Sequence, residues 1–84
     1  MSSPLTIMDV TIRHLDGYEQ SYAAAIPDKT PWQAYEHRLA IARRGGGLLI
    51  RPDPDTLTIR LIGQFSTTEI TFSGGASMHE EEVH

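Results

Sequence analysis

The chain has 84 residues, of which 39% are hydrophobic, and a formal net charge of −4. This length allows one domain with a thin core, because a short chain buries a smaller share of its surface than a long one. The absence of cysteine excludes a disulfide framework and a cysteine-ligated zinc site. The first residues do not resemble a signal peptide and no segment approaches ~20 apolar residues, so we expect a cytoplasmic protein that does not enter membranes.

The charges are unevenly distributed along the chain. Three of the eleven acidic residues stand in the C-terminal HEEEVH segment, and the remaining eight nearly balance the seven basic residues. We therefore expect a loose leader over residues 1–4, a single near-neutral domain over residues 5–73 and an acidic disordered tail over residues 74–84. Four of the arginines form a local cluster: Arg38, Arg43, Arg44 and Arg51.

A β-hairpin is predicted at the start of the domain. From Leu5, apolar and polar residues alternate, as expected of a half-buried strand. The pair Asp16-Gly17 separates this strand from a second one over residues 18–26. It favours a two-residue type I′ turn, in which both turn residues need a positive φ.

The length of this loop decides which side chains share a face of the hairpin. With two loop residues, Val10 lies opposite Ala23 on the core face, and His14 lies opposite Glu19 in a surface ion pair. The outer face then carries a mixture of aromatic, apolar and polar side chains, which are Thr11, Arg13, Leu15, Tyr18, Gln20 and Tyr22.

A helix is predicted to follow the hairpin. Thr30 and Gln33 form a capping-box pattern around Pro31, which suits the first helical position. Four residues recur at helical spacing and predict the core-facing stripe: Trp32, Tyr35, Leu39 and Ala42.

The glycines after the helix are interpreted as its end. Arg43 and Arg44 fall in the last turn, where positive charge complements the helix dipole, and Gly45 fits the left-handed position just beyond it. Phosphate-binding loops place their glycines before a helix, so that its first amides point at the anion. The order is reversed here, which excludes that interpretation.

Three strands are predicted after the glycines. Residues 48–52 form the first, and the Pro and Asp residues at 52–55 form a turn. Alternating patterns over residues 57–62 and 66–73 indicate two more strands. The order β-β-α-β-β-β predicts a small α+β domain in which an antiparallel sheet of four to five strands packs on one helix.

The sheet face away from the helix is the predicted binding surface. Pairing Arg51 with Thr56 across the turn directs Arg51 and Arg60 away from the helix, onto the face of Arg13. Tyrosine and arginine side chains on an open face are typical of protein-interface hot spots, and they also bind single-stranded nucleic acid. A plain solvated sheet would have the same composition. The candidate binding residues are Arg13, Tyr18, Tyr22, Arg43, Arg44, Arg51 and Arg60.

Neither catalysis nor metal binding is predicted. The chain has no cysteine nucleophile and no serine in a G-x-S-x-G pattern. The HEEEVH segment is close to the zinc-protease pattern H-E-x-x-H. Its histidines, His79 and His84, are however five residues apart, which puts them on different sides of a helix. No catalytic residue, cofactor or metal is therefore expected.

The sequence favours a non-enzymatic protein-interaction module, a small regulator or inhibitor of a larger protein machine that docks through an open sheet face or edge. A nucleic-acid-binding accessory protein that uses the arginine cluster is the alternative, although the body is not net basic. Ile41 lies on the side of the helix opposite Trp32 and gives it a second apolar edge, so a homodimer is also a candidate.

Overall fold

The computed structural model describes residues 3–75. It contains one helix and five strands: β1 Leu5–His14, β2 Glu19–Pro27, α1 Pro31–Gly45, β3 Leu49–Asp53, β4 Thr58–Ile62 and β5 Ser66–Gly74. The strands form one sheet in the order β2-β1-β5-β4-β3, and all neighbours are antiparallel. The predicted α+β class and element order are confirmed. Of the predicted acidic tail over residues 74–84, Gly74 is the last residue of β5, and residues 76–84, with His79 and His84, lie outside the described residues.

The helix begins where the capping pattern predicts. The backbone amide of Gln33 donates to Thr30 Oγ1 at 3.2 Å, and the amide of Thr30 donates to Gln33 Oε1 at 2.9 Å. These two bonds satisfy amides that the first turn of a helix leaves without partners. No helix within residues 3–75 is long and apolar enough to cross a membrane.

The helix ends one residue later than the sequence predicts. Gly45 is its last residue, and the positive φ angles belong to Gly46 and Gly47, at 70° and 77°. Glycine tolerates both conformations, so the helix continues through Gly45 and the chain reverses at the next two residues. The prediction of a left-handed Gly45 is therefore wrong.

The core lies between the helix and the middle of the sheet. The Tyr35 ring packs edge-on against Phe72, with ring centroids 6.5 Å apart. Helix contacts are made mainly with β5 and also with β1, β3 and β4. The buried apolar residues come from both layers: Val10, Ala34, Tyr35, Ala42, Ile59, Leu61, Ile70 and Phe72.

The predicted core-facing stripe is correct for only part of the helix. Tyr35 and Ala42 are buried and Leu39 is half-buried, but Trp32 is 48% exposed. The buried arc of the helix is centred between Ala34 and Tyr35, so Trp32 lies at one margin of this arc and the exposed Ile41 at the other.

The first hairpin has a three-residue loop instead of the predicted two. The amide of His14 donates to the carbonyl of Tyr18 at 2.8 Å and closes a loop that contains Asp16 and Gly17. Gly17 supplies the positive φ of 95°, and Asp16 Oδ1 accepts from the amide of Tyr18 at 3.0 Å. The Asp-Gly signal identifies the turn correctly, but it does not fix its length.

The extra loop residue reverses the two faces of β2. Val10 lies opposite Tyr22, whereas a two-residue loop would place Ala23 there. A shift of one residue moves every side chain of a strand to the other face. Tyr22 therefore lies on the helix side of the sheet, and its predicted position on the outer face is wrong.

The second hairpin joins β3 to β4 and keeps the predicted faces. Arg51 lies opposite Arg60, four residues beyond the predicted partner Thr56. Asp53 Oδ1 accepts from the amide of Asp55 at 3.1 Å, which places the turn at residues 54–57. A shift by an even number of residues preserves the faces, so Arg51 and Arg60 point away from the helix as predicted.

Candidate functional site

The sheet face away from the helix is not covered by any element within residues 3–75, and we call it the open face. Its side chains follow from the register of the four strand pairs. One row of directly opposed residues crosses it from edge to edge, in the order Ser21, Thr11, Glu69, Arg60 and Arg51. The row brings two arginines together beside the β3 edge.

Of the opposed pair Arg51 and Arg60, Arg60 alone forms an ion pair within residues 3–75. Arg60 Nη2 donates to Glu69 Oε2 at 2.9 Å, with side-chain exposures of 50% and 30%. Arg51 takes part in neither of the ion pairs that the described residues form. Like charges directly opposite each other on a sheet are destabilising, so the Arg51 and Arg60 guanidiniums repel each other, although Asp53 and Glu69 balance their charge within the same concavity.

The two arginines line a shallow concavity of about 340 Å³. Thr58 lies between them and the turn, and its hydroxyl is 3.1 Å from the hydroxyl of Thr71 on the neighbouring strand. Pro52 and Asp53 complete the wall on the β3 side. The walls therefore offer hydroxyl and guanidinium donors together with the carboxylates of Asp53 and Glu69.

Arg13 lies on the same face and is paired across the first hairpin. Its Nε donates to Glu19 Oε2 at 2.8 Å, and this hydrogen bond raises the pKa of the Arg13 guanidinium. The predicted pair of His14 with Glu19 is wrong, because the three-residue loop places Arg13 opposite Glu19. His14 Nε2 instead lies 3.1 Å from Gln20 Oε1.

A second concavity, of about 530 Å³, connects Arg13 to Arg60 at the other end of the sheet. Leu15 and Phe65 form its apolar wall, and they are 80% and 68% exposed. The amide of Leu15 donates to the carbonyl of Phe65 at 2.9 Å and holds the two loops together. Arg60 thus stands between a polar concavity and one with an apolar wall.

The structure brings together three of the seven predicted binding residues, Arg13, Arg51 and Arg60. Tyr18 packs against His14, with ring centroids 5.5 Å apart, at the end of the hairpin. By the register of β1 and β2, Tyr18 and Tyr22 share the helix side of the sheet. Arg43 and Arg44 lie in the last turn of α1, in the other layer. Whether any of these seven residues binds a partner stays a prediction.

Sequence reasoning missed Glu69 and Phe65 as parts of this site. The alternation of Glu69 with Ile70 and Phe72 places its side chain on the outer face. Its contact with Arg60, however, depends on the register between β4 and β5. Phe65 is an isolated aromatic residue in a turn, and no local pattern signals that it approaches Leu15.

The chemistry of this surface is recognition by charge and hydrogen bonding. Within residues 3–75, histidine, aspartate and glutamate side chains form no group of three that could hold a metal ion. Guanidinium groups have fixed donor geometry and match carboxylate oxygens well. Comparisons with known proteins identify no relative, because no family model, curated protein or solved structure matches the chain.

Proposed function

We propose that this chain is a non-enzymatic protein-interaction module that docks a carboxylate-bearing segment of another protein onto its open face. The observation that supports it is the opposed pair Arg51 and Arg60 in a concave surface, where Glu69 pairs with Arg60 and Arg51 forms no ion pair within residues 3–75. A carboxylate from the partner, placed between the two guanidiniums, would form charge-assisted hydrogen bonds with both and remove their repulsion.

The exposed apolar pair beside the arginines extends this docking surface. Leu15 and Phe65 offer an apolar contact next to Arg60. Interfaces combine such apolar contacts with arginine anchors and a polar rim. A domain of this size would act as a small regulator or inhibitor by covering a functional surface of its partner.

A nucleic-acid partner is less consistent with the charges of the open face. Its three arginines are accompanied by four carboxylates, Asp9, Glu19, Asp53 and Glu69. Three further arginines, Arg38, Arg43 and Arg44, lie in the helix layer. Nucleic-acid binding requires a net basic surface that follows the phosphates, whereas mixed charges suit a protein partner.

Fluorescence anisotropy with two labelled probes tests the proposal. A hexaglutamate peptide represents the carboxylate-bearing segment, and oligothymidine represents single-stranded nucleic acid. Arg51→Ala/Arg60→Ala should weaken hexaglutamate binding by about tenfold or more, as expected for the loss of two charged anchors. Arg43→Ala/Arg44→Ala is the matched control, because it removes the same charge from the helix layer, and it should retain binding.

The outcomes separate the two partner classes. Preferential binding of hexaglutamate that depends on Arg51 and Arg60 supports the proposal. Tighter binding of oligothymidine, with a steep dependence on salt, favours nucleic acid. Equal losses in both double variants would show that only overall charge matters and would contradict a docking site on the open face.

A further inference from the structure

Within residues 3–75, the outer edge of β2 leaves backbone N–H and C=O groups without a neighbouring strand. Along an antiparallel strand, backbone groups point alternately to one neighbour and to the other. The hydrogen bond from the amide of His14 to the carbonyl of Tyr18 shows that the backbone N–H and C=O groups of even-numbered β2 residues point to β1. The N–H and C=O groups of four residues therefore point outward: Glu19, Ser21, Ala23 and Ala25.

The opposite edge, β3, leaves far less backbone free. The hydrogen bond from the amide of Phe72 to the carbonyl of Leu57 shows that the backbone N–H and C=O groups of odd-numbered β4 residues point to β5. The backbone groups of even-numbered β4 residues therefore point to β3, where their partners are Leu49, Arg51 and Asp53. The β3 residues whose backbone groups point outward are then Ile50 and Pro52. Proline has no N–H, and Ile50 is thus the one outward amide donor of β3, against four in β2.

Protection against edge pairing is also unequal. β3 combines a short length with Pro52 between two charged residues, which are the usual means of blocking an edge. β2 is nine residues long and has no charge or proline between Gln20 and Ile26. Within residues 3–75, no strand lies along its outer side. Such an edge is a template for another strand.

We infer that β2 pairs with β2 of a second copy of this chain, antiparallel and about a two-fold axis at Tyr22. In this register Ser21 lies opposite Ala23 of the second copy, and Glu19 lies opposite Ala25. All four outward amides then find partners, and no like charges are opposed. A register centred one residue later would place Glu19 opposite Pro27, which has no N–H.

Side chains support the same register. Tyr22 is 55% exposed on the helix side of the sheet and would lie directly opposite Tyr22 of the second copy. Aromatic cross-strand pairs of this kind are favourable, and the small residues on either side, Ser21 and Ala23, let the strands approach. The two five-stranded sheets would join into one sheet of ten strands. The Arg51 and Arg60 pair of each copy would lie near the far edge, formed by β3, and stay accessible.

Disulfide trapping tests the position of the two-fold axis. Because the chain contains no cysteine, a single introduced cysteine can form a disulfide only with its copy in the second chain. Opposed residues in a non-hydrogen-bonded pair have Cα atoms about 4.5 Å apart, which lies within the range of about 4.4–6.8 Å for a disulfide. Tyr22→Cys should form a covalent dimer of twice 9.3 kDa under mild oxidation. Tyr18→Cys is the control, since Tyr18 is 60% exposed on the same side but would lie opposite Ile26.

Sedimentation equilibrium of lysine variants tests, without a crosslink, whether the dimer forms through the outer edge of β2. Ser21→Lys/Ala23→Lys puts lysine opposite lysine twice across the axis and should weaken the dimer by about tenfold or more. Ala25→Lys adds one lysine to the same strand but places it opposite Glu19, so it should retain the dimer. Thermal melts establish that both variants are folded.

The results decide the inference. A wild-type dimer, weakened by Ser21→Lys/Ala23→Lys and retained in Ala25→Lys, supports it. A wild-type chain that stays monomeric at every concentration leaves the edge to another partner and overturns it. Equal crosslinking of Tyr18→Cys and Tyr22→Cys, or equal weakening by both sets of lysines, overturns the register.

Discussion

Arg51 and Arg60 lie directly opposite each other on β3 and β4, and among residues 3–75 only Arg60 of the two has an ion-pair partner, Glu69 at 2.9 Å. Cross-strand neighbours on one face interact strongly enough to stabilise or destabilise a sheet. An opposed pair of like charges is therefore a local cost to the fold, and a partner carboxylate would relieve it.

The first prediction concerns the free energy of unfolding at this pair. Arg51→Gln should leave stability unchanged or raise it by about 0.2–0.5 kcal/mol, because it removes repulsion. Glu69→Gln should lower it by about 0.2–1 kcal/mol, because it breaks a partly exposed ion pair. Urea unfolding measures both, and the effects should shrink at high salt. A larger loss in Arg51→Gln than in Glu69→Gln would contradict the arrangement.

The second prediction compares the two helix aromatics. Tyr35 is buried against Phe72, and Tyr35→Ala should cost about 3–5 kcal/mol, as expected for a large side chain removed from a core. Trp32 is 48% exposed, so Trp32→Ala should cost only about 1–2 kcal/mol. Urea midpoints at neutral pH measure the order. A more severe effect at Trp32 would mean that the tryptophan belongs to the core, as its spacing in the sequence predicts.

The third prediction locates the end of the helix. Gly46 has a φ of 70°, and an added Cβ would meet no atom within 4 Å. Because this φ is combined with a ψ of 173°, a region open essentially to glycine alone, Gly46→Ala should cost about 1–3 kcal/mol through backbone strain. Gly45 is helical and equally uncrowded, so Gly45→Ala should stabilise by up to about 0.5–1 kcal/mol. Thermal denaturation distinguishes them, and the reverse order would place the left-handed residue at Gly45.

The fourth prediction concerns alkaline pH. Burial, with a smaller contribution from Asp53, raises the pKa of Tyr35 above its ordinary value of about 10. The folded protein then holds the phenolic proton more tightly than the unfolded chain. This contribution to stability is complete below about pH 10 and is lost as the pH rises through the folded-state pKa.

Tyr35→Phe isolates this contribution. Melting temperatures of both proteins should be measured from about pH 8 to about pH 11, where only the wild type has a phenol at this position to ionise. The wild type should lose stability more steeply than the variant at the alkaline end. Parallel curves would contradict a buried phenol at residue 35.

Local patterns predict the elements of this fold well, because each depends on neighbouring residues. The capping residues Thr30 and Gln33 and the alternation along β1, β4 and β5 determine structure within a few positions. The order of strands in the sheet does not follow from such patterns. β5 lies between β1 and β4, and that placement depends on long-range packing.

The site shows the same division between local and long-range information. The β3–β4 register differs from the prediction by four residues, yet Arg51 and Arg60 keep their face because an even shift changes no side. One additional loop residue around Gly17 is enough to move Tyr22 to the other face. Glu69 reaches Arg60 only through the β4–β5 pairing, which no sequence pattern specifies.

The most direct test of the docking surface is a residue-resolved NMR titration of the ¹⁵N-labelled chain with hexaglutamate. We expect the largest changes in the Arg51 and Arg60 side-chain Nε–H signals and in the amide of Thr58, because these three residues line the polar concavity. Changes centred on Arg43 and Arg44, or none on the open face at saturating peptide, would contradict it.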